Sequence, residues 1–321
     1  MKRIYIGGQA VIEGVMMKNQ DQYAIAVRKP DQTIEVKVEN YVAMGDRAAI
    51  LRIPIIRGIV NFIESLVIGM KTLTYSASFY EEEENPAEAP AEKAVKKGGE
   101  GILMFISVFL SIILAVGLFI LLPAFLSEFI RKGIDNNIVV ALLEGVIRLI
   151  IFLLYILAIS QMNDMKRVFM YHGAEHKTIN CLEAGVPLTP ENVMQYTRFH
   201  KRCGTSFLFL VMIISILFFM VINVDQTVLR MVLRILLVPV IAGVSYEFIR
   251  LAGRNDSWII RAISAPGLWI QRLTTKEPDL EMLEVAIASV EGVLDWRAYQ
   301  RALNAEAAVS EELESLEETE A

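Results

Sequence analysis

All three histidines and both cysteines of this 321-residue chain lie in one short window that begins at His172 and ends at Cys203. His172 and His176 are four residues apart, which places both imidazoles on one face of a helix. His200 and Cys203 are three residues apart and share a face in the same way. Imidazole nitrogen and thiolate sulfur are ligands that Zn²⁺ favours in proteins. The clustering therefore predicts a zinc site formed by His172, His176, His200 and Cys203.

A turn near Pro187 would bring the two pairs together. The preceding helix is expected to continue from an apolar stretch, with Gly185 as its C-terminal cap, and Pro187 prevents it from going further. Thr189 is typical of a residue that caps the start of a helix. The two pairs are nearly equidistant from the turn, so they would lie at the same level of an antiparallel pair. Residues 161–206 are therefore predicted to form a helical hairpin with four converging ligands.

Glu175 lies beside these ligands in the sequence. Together with His172 and His176 it matches the pattern H-x-x-E-H, in which two histidines bind zinc and the glutamate activates a water molecule. Glu175 is therefore the candidate general base. Cys181 is not expected among the ligands because it falls on the opposite face of the helix, and Glu183 is excluded because it lies roughly 10 Å beyond His176.

Three interpretations of this cluster stay open. Four protein ligands would form a closed structural site, whereas three ligands and a water molecule would permit hydrolysis. In the third interpretation no metal is bound. The histidines then cap helices or bind lipid headgroups, and Cys203 packs as a small apolar side chain.

The composition predicts a membrane protein, because 54% of the residues are hydrophobic and 21% are charged. A membrane span needs about 20 mostly apolar residues. Four stretches meet that requirement: Leu103–Leu126, Ile138–Ser160, Phe207–Val224 and Val228–Phe248. The net charge of −6 comes largely from two acidic tracts, and no basic, aromatic-rich stretch suggests a nucleic-acid partner.

Lysine and arginine residues predict which side of the membrane each loop faces. The loop 161–206 holds six of them: Lys166, Arg167, Lys177, Arg198, Lys201 and Arg202. The loop 127–137 holds two and the turn 225–227 holds none. Because basic loops stay in the cytoplasm, both termini and the histidine-containing loop are expected there. The prediction is a multi-pass protein of the cell (inner or plasma) membrane, with membrane lipid and other membrane proteins as its partners.

Two further segments have the composition of helices at the membrane surface. Residues 54–75 are apolar except for a narrow polar stripe: Arg57, Asn61, Glu64 and Lys71. This pattern predicts an interfacial or half-inserted helix. A full span is the alternative, and it would move residues 1–50 to the outside. Residues 257–274 contain two tryptophans among basic residues and predict a headgroup-level helix, broken at Pro266–Gly267.

The predicted fold is mainly α, a polytopic bundle of four membrane-spanning helices with a small N-terminal β-hairpin unit and a cytoplasmic helical hairpin. The predicted hairpin strands are "YAIAVRK" and "TIEVKVE", and "IYIGGQAVIEGVMM" is predicted to form another strand and a turn. The predicted units are a β-containing unit at 1–50, an amphipathic helix at 51–78, an acidic linker at 79–101, two spans at 102–160, the helical hairpin at 161–206, two spans at 207–248, an interfacial segment at 249–275, C-terminal helices at 276–310 and an acidic tail at 311–321.

Glu144, Arg148 and Arg234 are charged residues inside the predicted spans. Glu144 and Arg148 are four residues apart in the second span, in the order that favours an intrahelical ion pair. Arg234 lies at the depth of Glu144 in the fourth span, so a contact between them is expected. Such charges are expensive in a bilayer and either hold helices together or form a proton pathway.

Three segments resemble a known family, the YqhQ-like bacterial inner-membrane proteins: "GGQAVIEGVMM" at 7–17, "HGAEHKTINCLEAG" at 172–185 and "RCGTSF" at 202–207. The family is labelled as a predicted metal-dependent enzyme, so the resemblance implies a metal site without a known substrate. It transfers residue by residue to Glu13, His172, Glu175, His176 and Cys203. Glu13 either reaches the site, as a hydrogen-bond acceptor for an imidazole or as a fourth ligand, or belongs to a tight turn.

Three functions from different classes are compatible with these patterns. The leading hypothesis is a metal-dependent hydrolase that acts on a membrane-embedded or membrane-adjacent substrate, with Glu175 as the base. The second is a non-catalytic accessory subunit of a membrane complex, such as protein insertion or export machinery. The third is a transporter that uses Glu144, Arg148 and Arg234.

Overall fold

The structure, a computed structural model, describes residues 6–46, 48–84, 105–134, 136–221, 224, 226–252, 257–303 and 305. These residues are mainly helical, as predicted, and include one small β-sheet. The named helices are α1 (Ile56–Glu84), α2 (Phe105–Arg131), α3 (Asn137–Ile159), α4 (Asn163–Glu183), α5 (Pro190–Met194), α6 (Gly204–Val221), α7 (Thr227–Ala252), α8 (Trp258–Thr274) and α9 (Leu280–Glu291). Two 3₁₀ turns precede α1, at Met44–Asp46 and Ala49–Arg52.

Helices α2, α3, α6 and α7 are long and apolar enough to cross a membrane, which confirms the four predicted spans. Helix α6 packs against both α3 and α7. Helix α2 changes to π-helical geometry at Gly117–Leu121 and contacts α3 mainly from that point onward. The described spans therefore form a bundle to which α2 adds only its second half.

Charged side chains inside this bundle contact one another. The carboxylate of Glu144 accepts hydrogen bonds from Arg148 at 3.1 Å, Arg234 at 2.5 Å and Ser127 at 3.0 Å. None of the three charged residues is more than 5% exposed. Both guanidinium groups also lie over the ring of Phe219, at 4.9 and 5.0 Å from its centroid. The cluster joins all four spans through buried contacts.

The N-terminal unit is a four-stranded antiparallel sheet, which extends the predicted hairpin by two strands. The strands pair in chain order: β1 (Gly7–Val11), β2 (Gly14–Asn19), β3 (Gln22–Arg28) and β4 (Ile34–Asn40). Because side chains alternate along each strand, the sheet has two apolar faces. One face packs on α4 and α9, and the other packs on α1. The sheet therefore links the helix that carries both imidazoles to the helix with the polar stripe.

The predicted helical hairpin at 161–206 forms only in part. The second span does not continue beyond the bundle as one helix, because a turn at residues 160–162 separates α3 from α4. At the other end of α4, Gly185 adopts a φ of 72°, the left-handed conformation of a helix-ending glycine. The Thr189 side chain accepts a hydrogen bond from a backbone N–H in the first turn of α5.

The second arm of that hairpin is mostly irregular, contrary to the prediction. Helix α5 covers five residues, and residues 195–203 leave helical geometry. The reason is that side chains of α4 bind the carbonyl groups of residues 194–199. Lys177 Nζ donates to two of them at 2.8 Å each, and Asn180 Nδ2 donates to two more at 2.7 and 3.1 Å. These hydrogen bonds replace the backbone bonds of a helix.

The predicted break at Pro266–Gly267 is wrong, since α8 continues through both residues. Gly267 faces α6 at very close range, where a Cβ atom would lie 2.9 Å from the Cβ of Ser206. This packing accompanies the continuation of the helix through Pro266, whose ring removes one backbone hydrogen bond. Trp258 and Trp269 are 72% and 55% exposed on α8, as expected for side chains that lie among lipid headgroups.

Candidate metal centre

His172 and His176 lie on one face of α4, where their ring centroids are 4.4 Å apart. Nδ1 of His172 is 2.8 Å from the carbonyl oxygen of Thr274, and Nδ1 of His176 is 2.6 Å from that of Arg198. A carbonyl oxygen only accepts hydrogen bonds, so each Nδ1 carries the proton in the neutral ring. Each Nε2 therefore keeps its lone pair free for a metal ion.

Gly173 explains how the Thr274 carbonyl reaches His172. The chain after α8 passes directly over this glycine, where a Cβ atom would lie 2.0 Å from the carbonyl oxygen of Lys276. Any larger residue at position 173 would push the segment away. The glycine of "HGAEH" thus permits the hydrogen bond that orients the first imidazole.

Cys203 brings the third candidate ligand to the two imidazoles from the residue just before α6. Its Sγ lies 3.2 Å from Nε2 of His172 and 3.1 Å from the hydroxyl oxygen of Thr205. It also accepts a hydrogen bond from the N–H of Thr205, as a helix N-cap does. The sulfur is thus held beside the imidazoles, and a bound metal ion would take it as the thiolate.

Ligand atoms of His172, His176 and Cys203 all lie within 4.8 Å of one another. In a tetrahedral zinc site, with Zn–N of about 2.0 Å and Zn–S of about 2.3 Å, neighbouring ligand atoms are about 3.3–3.8 Å apart. The observed cluster therefore fits Zn²⁺ after a small inward movement. Two imidazoles and one thiolate are also a donor set that Zn²⁺ accepts.

Glu175 lies at the edge of this cluster. Its Oε2 is 3.9 Å from Nε2 of His172, and its carboxylate accepts a hydrogen bond from the backbone N–H of Gly8 on β1. Glu175 is 5% exposed, and this burial raises the pKa of its carboxyl group. Burial also lowers the pKa of His176, which favours the neutral imidazole that metals require.

His200, predicted as the fourth ligand, lies outside the three-residue cluster. Its ring is 5.7 Å from that of His176, and its Nε2 is 3.7 Å from a carboxylate oxygen of Glu183. Gln271 fixes the His200 backbone by donating to its carbonyl and accepting from its N–H, both at 2.8 Å. The prediction assumed that residues 195–203 are helical, and their irregular path turns this imidazole toward Glu183.

Glu13 does not contact the imidazoles either. Its carboxylate pairs with the Arg167 guanidinium and accepts a hydrogen bond from the Tyr171 hydroxyl at 3.1 Å. Glu13 has a φ of 49° in the turn between β1 and β2, so the tight-turn alternative describes it better. Cys181 is also remote from the cluster and faces the carbonyl of Val186 at 3.6 Å. Burial raises the pKa of the Cys181 thiol to about 11, so this cysteine is unreactive.

Gly8 also belongs to the site, although the spacing of the candidate residues in the sequence did not identify it. A Cβ atom at position 8 would lie 2.7 Å from Cγ of Glu175, so the strand can approach the carboxylate only through glycine. The paired glycines of "GGQAVIEG" are compatible with such an approach, although the sequence does not say what they approach.

Replacing Gly8 by alanine should destabilise the protein by about 1–3 kcal/mol, because the added methyl group overlaps the Glu175 side chain. Thermal or denaturant unfolding of the purified protein measures the change. Gly7→Ala is the matched control, since a Cβ atom at Gly7 meets nothing within 4 Å. Its effect should stay within about 0.5 kcal/mol. Equal stability of the two variants would show that the strand does not press on Glu175.

The cluster lies at the end of the membrane-spanning bundle. Cys203 directly precedes the span α6, and Thr274 is the last residue of α8. Phe207, in the first turn of α6, packs against Phe62 of α1 with ring centroids 5.6 Å apart. A metal ion bound here would therefore lie where a span meets the rest of the protein.

Comparison with known proteins identifies relatives of the whole arrangement. The family model described as "Protein of unknown function (DUF1385)" matches residues 53–296, which include His172, Glu175, His176 and Cys203. The chain is 36% identical over 293 residues to "Uncharacterized protein YqhQ" of Bacillus subtilis (strain 168), covering 90% of this chain and 92% of the relative. No solved structure matches.

Proposed function

The chain belongs to the DUF1385 family, whose description assigns no reaction, and we propose from the geometry of the site that it is a metal-dependent hydrolase of the membrane. His172, His176 and Cys203 would hold a Zn²⁺ ion. One observation carries the proposal: among the described residues the cluster offers three ligand atoms, and a buried carboxylate lies 3.9 Å from one of them. Three protein ligands and a nearby base are the pattern of catalytic zinc sites, which keep one position for water.

Glu175 would act as the general base. Zn²⁺ at such a site acidifies water and polarises a carbonyl or phosphoryl oxygen. Glu175 would take one proton from the attacking water, whose oxygen forms the new bond to the substrate carbonyl or phosphoryl atom. The same carboxyl group would then return the proton to the leaving group as the bond between that group and the attacked carbon or phosphorus atom breaks. The N–H of Gly8 would orient the carboxylate, and burial would make it a stronger base than an exposed one.

The substrate would be embedded in the membrane or lie beside it. The cluster adjoins the start of α6, and the exposed tryptophans of α8 are suited to the headgroup layer on the same side. This side would be the cytoplasmic one, as the six basic residues of the loop 161–206 predict.

A second candidate function is favoured by the burial of the cluster. His176 is 1% exposed and Cys203 is 5% exposed, as expected for a structural metal site that substrates do not enter. The protein would then be a non-catalytic subunit of a membrane complex, and the metal ion would stabilise its docking surface.

Glu175→Gln separates these two functions. If the protein is a hydrolase, the variant should keep its bound zinc and lose activity by about 100-fold or more, since it cannot accept a proton. Zinc-loaded protein in lipid nanodiscs is incubated with a membrane extract, and mass spectrometry compares the products. Glu183→Gln, the same change on the same helix, is the control and should resemble the wild type. Products that are unchanged in Glu175→Gln would contradict the hydrolase.

A further inference from the structure

Helix α1 begins deep beside the span α7. Gly58 of α1 and Gly243 of α7 are in backbone contact, since a Cβ atom at Gly58 would lie 2.7 Å from the Gly243 carbonyl oxygen. The candidate span α7 continues to Leu251, eight residues later. At 1.5 Å per residue, Gly243 lies roughly 12 Å from that end of the helix. The first turn of α1 therefore lies beside the interior of the candidate span and not at its end.

Helix α1 then rises toward the end of the bundle. Asn61 donates a hydrogen bond to the Tyr246 hydroxyl at 2.8 Å, and Tyr246 lies roughly 7 Å inside the end of α7. One residue later, Phe62 contacts Phe207, which lies roughly 5 Å inside the start of α6. The contacts with α7 and α6 thus place Asn61 and Phe62 at about the same distance inside the ends of the two spans. The helix leaves the bundle near Glu64 and continues to the sheet.

Before α1 begins, the chain approaches the same region from the side of the metal centre. The Ala49–Arg52 turn leads down to Ile55, which has a φ of 72°, a rare conformation for a β-branched residue. The direction of the chain reverses there, and the carbonyl oxygen of Ile55 would lie 2.6 Å from a Cβ atom on Gly243. Residues 48–55 thus run into the bundle, the chain reverses its direction at Ile55, and residues 56–64 run back toward the end of the bundle.

Polar groups of this segment bind partners within the protein, as a bilayer favours. The carboxylate of Glu247 on α7 binds the Arg57 guanidinium and accepts a hydrogen bond from the N–H of Ile55. Arg52 reaches back toward the membrane surface, where its Nε donates to the Gly45 carbonyl. The outward face of the same segment is apolar and 38–60% exposed at Ile50, Ile53, Ile55 and Ile63.

We infer that residues 48–64 form a re-entrant segment, which enters the leaflet on the side of the metal centre by roughly 12 Å without crossing the membrane. The partner of its outward face is the acyl-chain layer of that leaflet. The apolar exposure continues the lipid-facing surface of α7, and the depth follows from contacts with two separate spans. The inference specifies the half-inserted form of the helix that the sequence predicts, and a full span is the alternative that the experiment tests.

Spin labelling in liposomes tests the inference. Ile53→Cys carries a nitroxide at the tip, and Val38→Cys carries one on β4; both native side chains are 48% exposed and apolar. The two native cysteines are buried, and labelled wild-type protein gives the background. The label at Ile53 should be relaxed by oxygen at least about fivefold more than by a water-soluble nickel chelate, and the label at Val38 should show the opposite order.

Two results would overturn the inference. Equal access of the nickel chelate to both labels would place the segment outside the bilayer. Reaction of both Val38→Cys and Ile53→Cys with an impermeant maleimide from the side opposite to the loop 161–206 would make α1 a full span, because residues 1–50 would then lie on that side. Ile50→Cys, at 60% exposure in the same segment, repeats both measurements if Ile53→Cys does not fold.

Discussion

Replacing His172 by alanine is expected to reduce bound zinc from about one ion per chain to less than about 0.1 after dialysis. The imidazole supplies one of three ligand atoms, and its loss leaves two, too few for tight binding. Its Nδ1 hydrogen bond to Thr274 shows that Nε2 is free to bind. Elemental analysis of purified protein measures the zinc content, and circular dichroism establishes that the variant is folded.

His200→Ala is the matched control for that experiment. The cluster of three does not include this imidazole, which faces Glu183. The variant should therefore keep at least about 0.8 zinc per chain. If His200→Ala loses as much zinc as His172→Ala, the four-ligand site predicted from the sequence is correct. If purified wild-type protein contains no zinc, cobalt or other divalent ion, the proposal of a metal centre is contradicted.

Glu144→Gln should destabilise the membrane bundle by about 3–5 kcal/mol, the usual cost of leaving a buried charge without its partner. The Glu144 carboxylate binds both Arg148 and Arg234, and the amide of glutamine cannot neutralise either. Thermal unfolding in detergent, followed by intrinsic fluorescence, measures the loss.

Glu35→Gln provides the comparison with an exposed ion pair. Glu35 pairs with Lys29 at 3.6 Å on the surface of the sheet, and such pairs contribute at most about 1 kcal/mol. Replacing Glu144, Arg148 and Arg234 together by leucine should recover most of the stability lost in Glu144→Gln, because no charge is then left unpaired. A Glu144→Gln effect as small as that of Glu35→Gln would mean that water solvates the cluster, as a proton pathway requires.

The local parts of the fold and the site could be predicted from the sequence. The four spans follow from length and composition, which the bilayer thickness fixes directly. The shared face of His172 and His176 follows from helical spacing alone. Cys203 was assigned to the site through the turn near Pro187, and the structure places its Sγ 3.2 Å from His172.

The parts that depend on tertiary contacts could not be predicted in this way. His200 turns away because Lys177 and Asn180 bind the carbonyls that a regular second helix would have used. The helical periodicity of a sequence contains no information about such hydrogen bonds. The contact of Gly8 with Glu175 joins residues 167 positions apart, and only the packed sheet shows it. The pairing of Glu13 with Arg167 is likewise a tertiary contact, so the sequence left open whether Glu13 reaches the site or belongs to a tight turn.

Lys177 would affect how the proposed site gains and loses a metal ion. Its ammonium group, 5% exposed, holds the segment that leads to Cys203 against the helix of the two histidines, and it also pairs with Glu277 at 2.9 Å. The segment that carries Cys203 is thus held to the helix of the two histidines by contacts that need no ion. If Zn²⁺ binds there as proposed, little conformational entropy would be lost on binding, and the ion could exchange without unfolding of the chain.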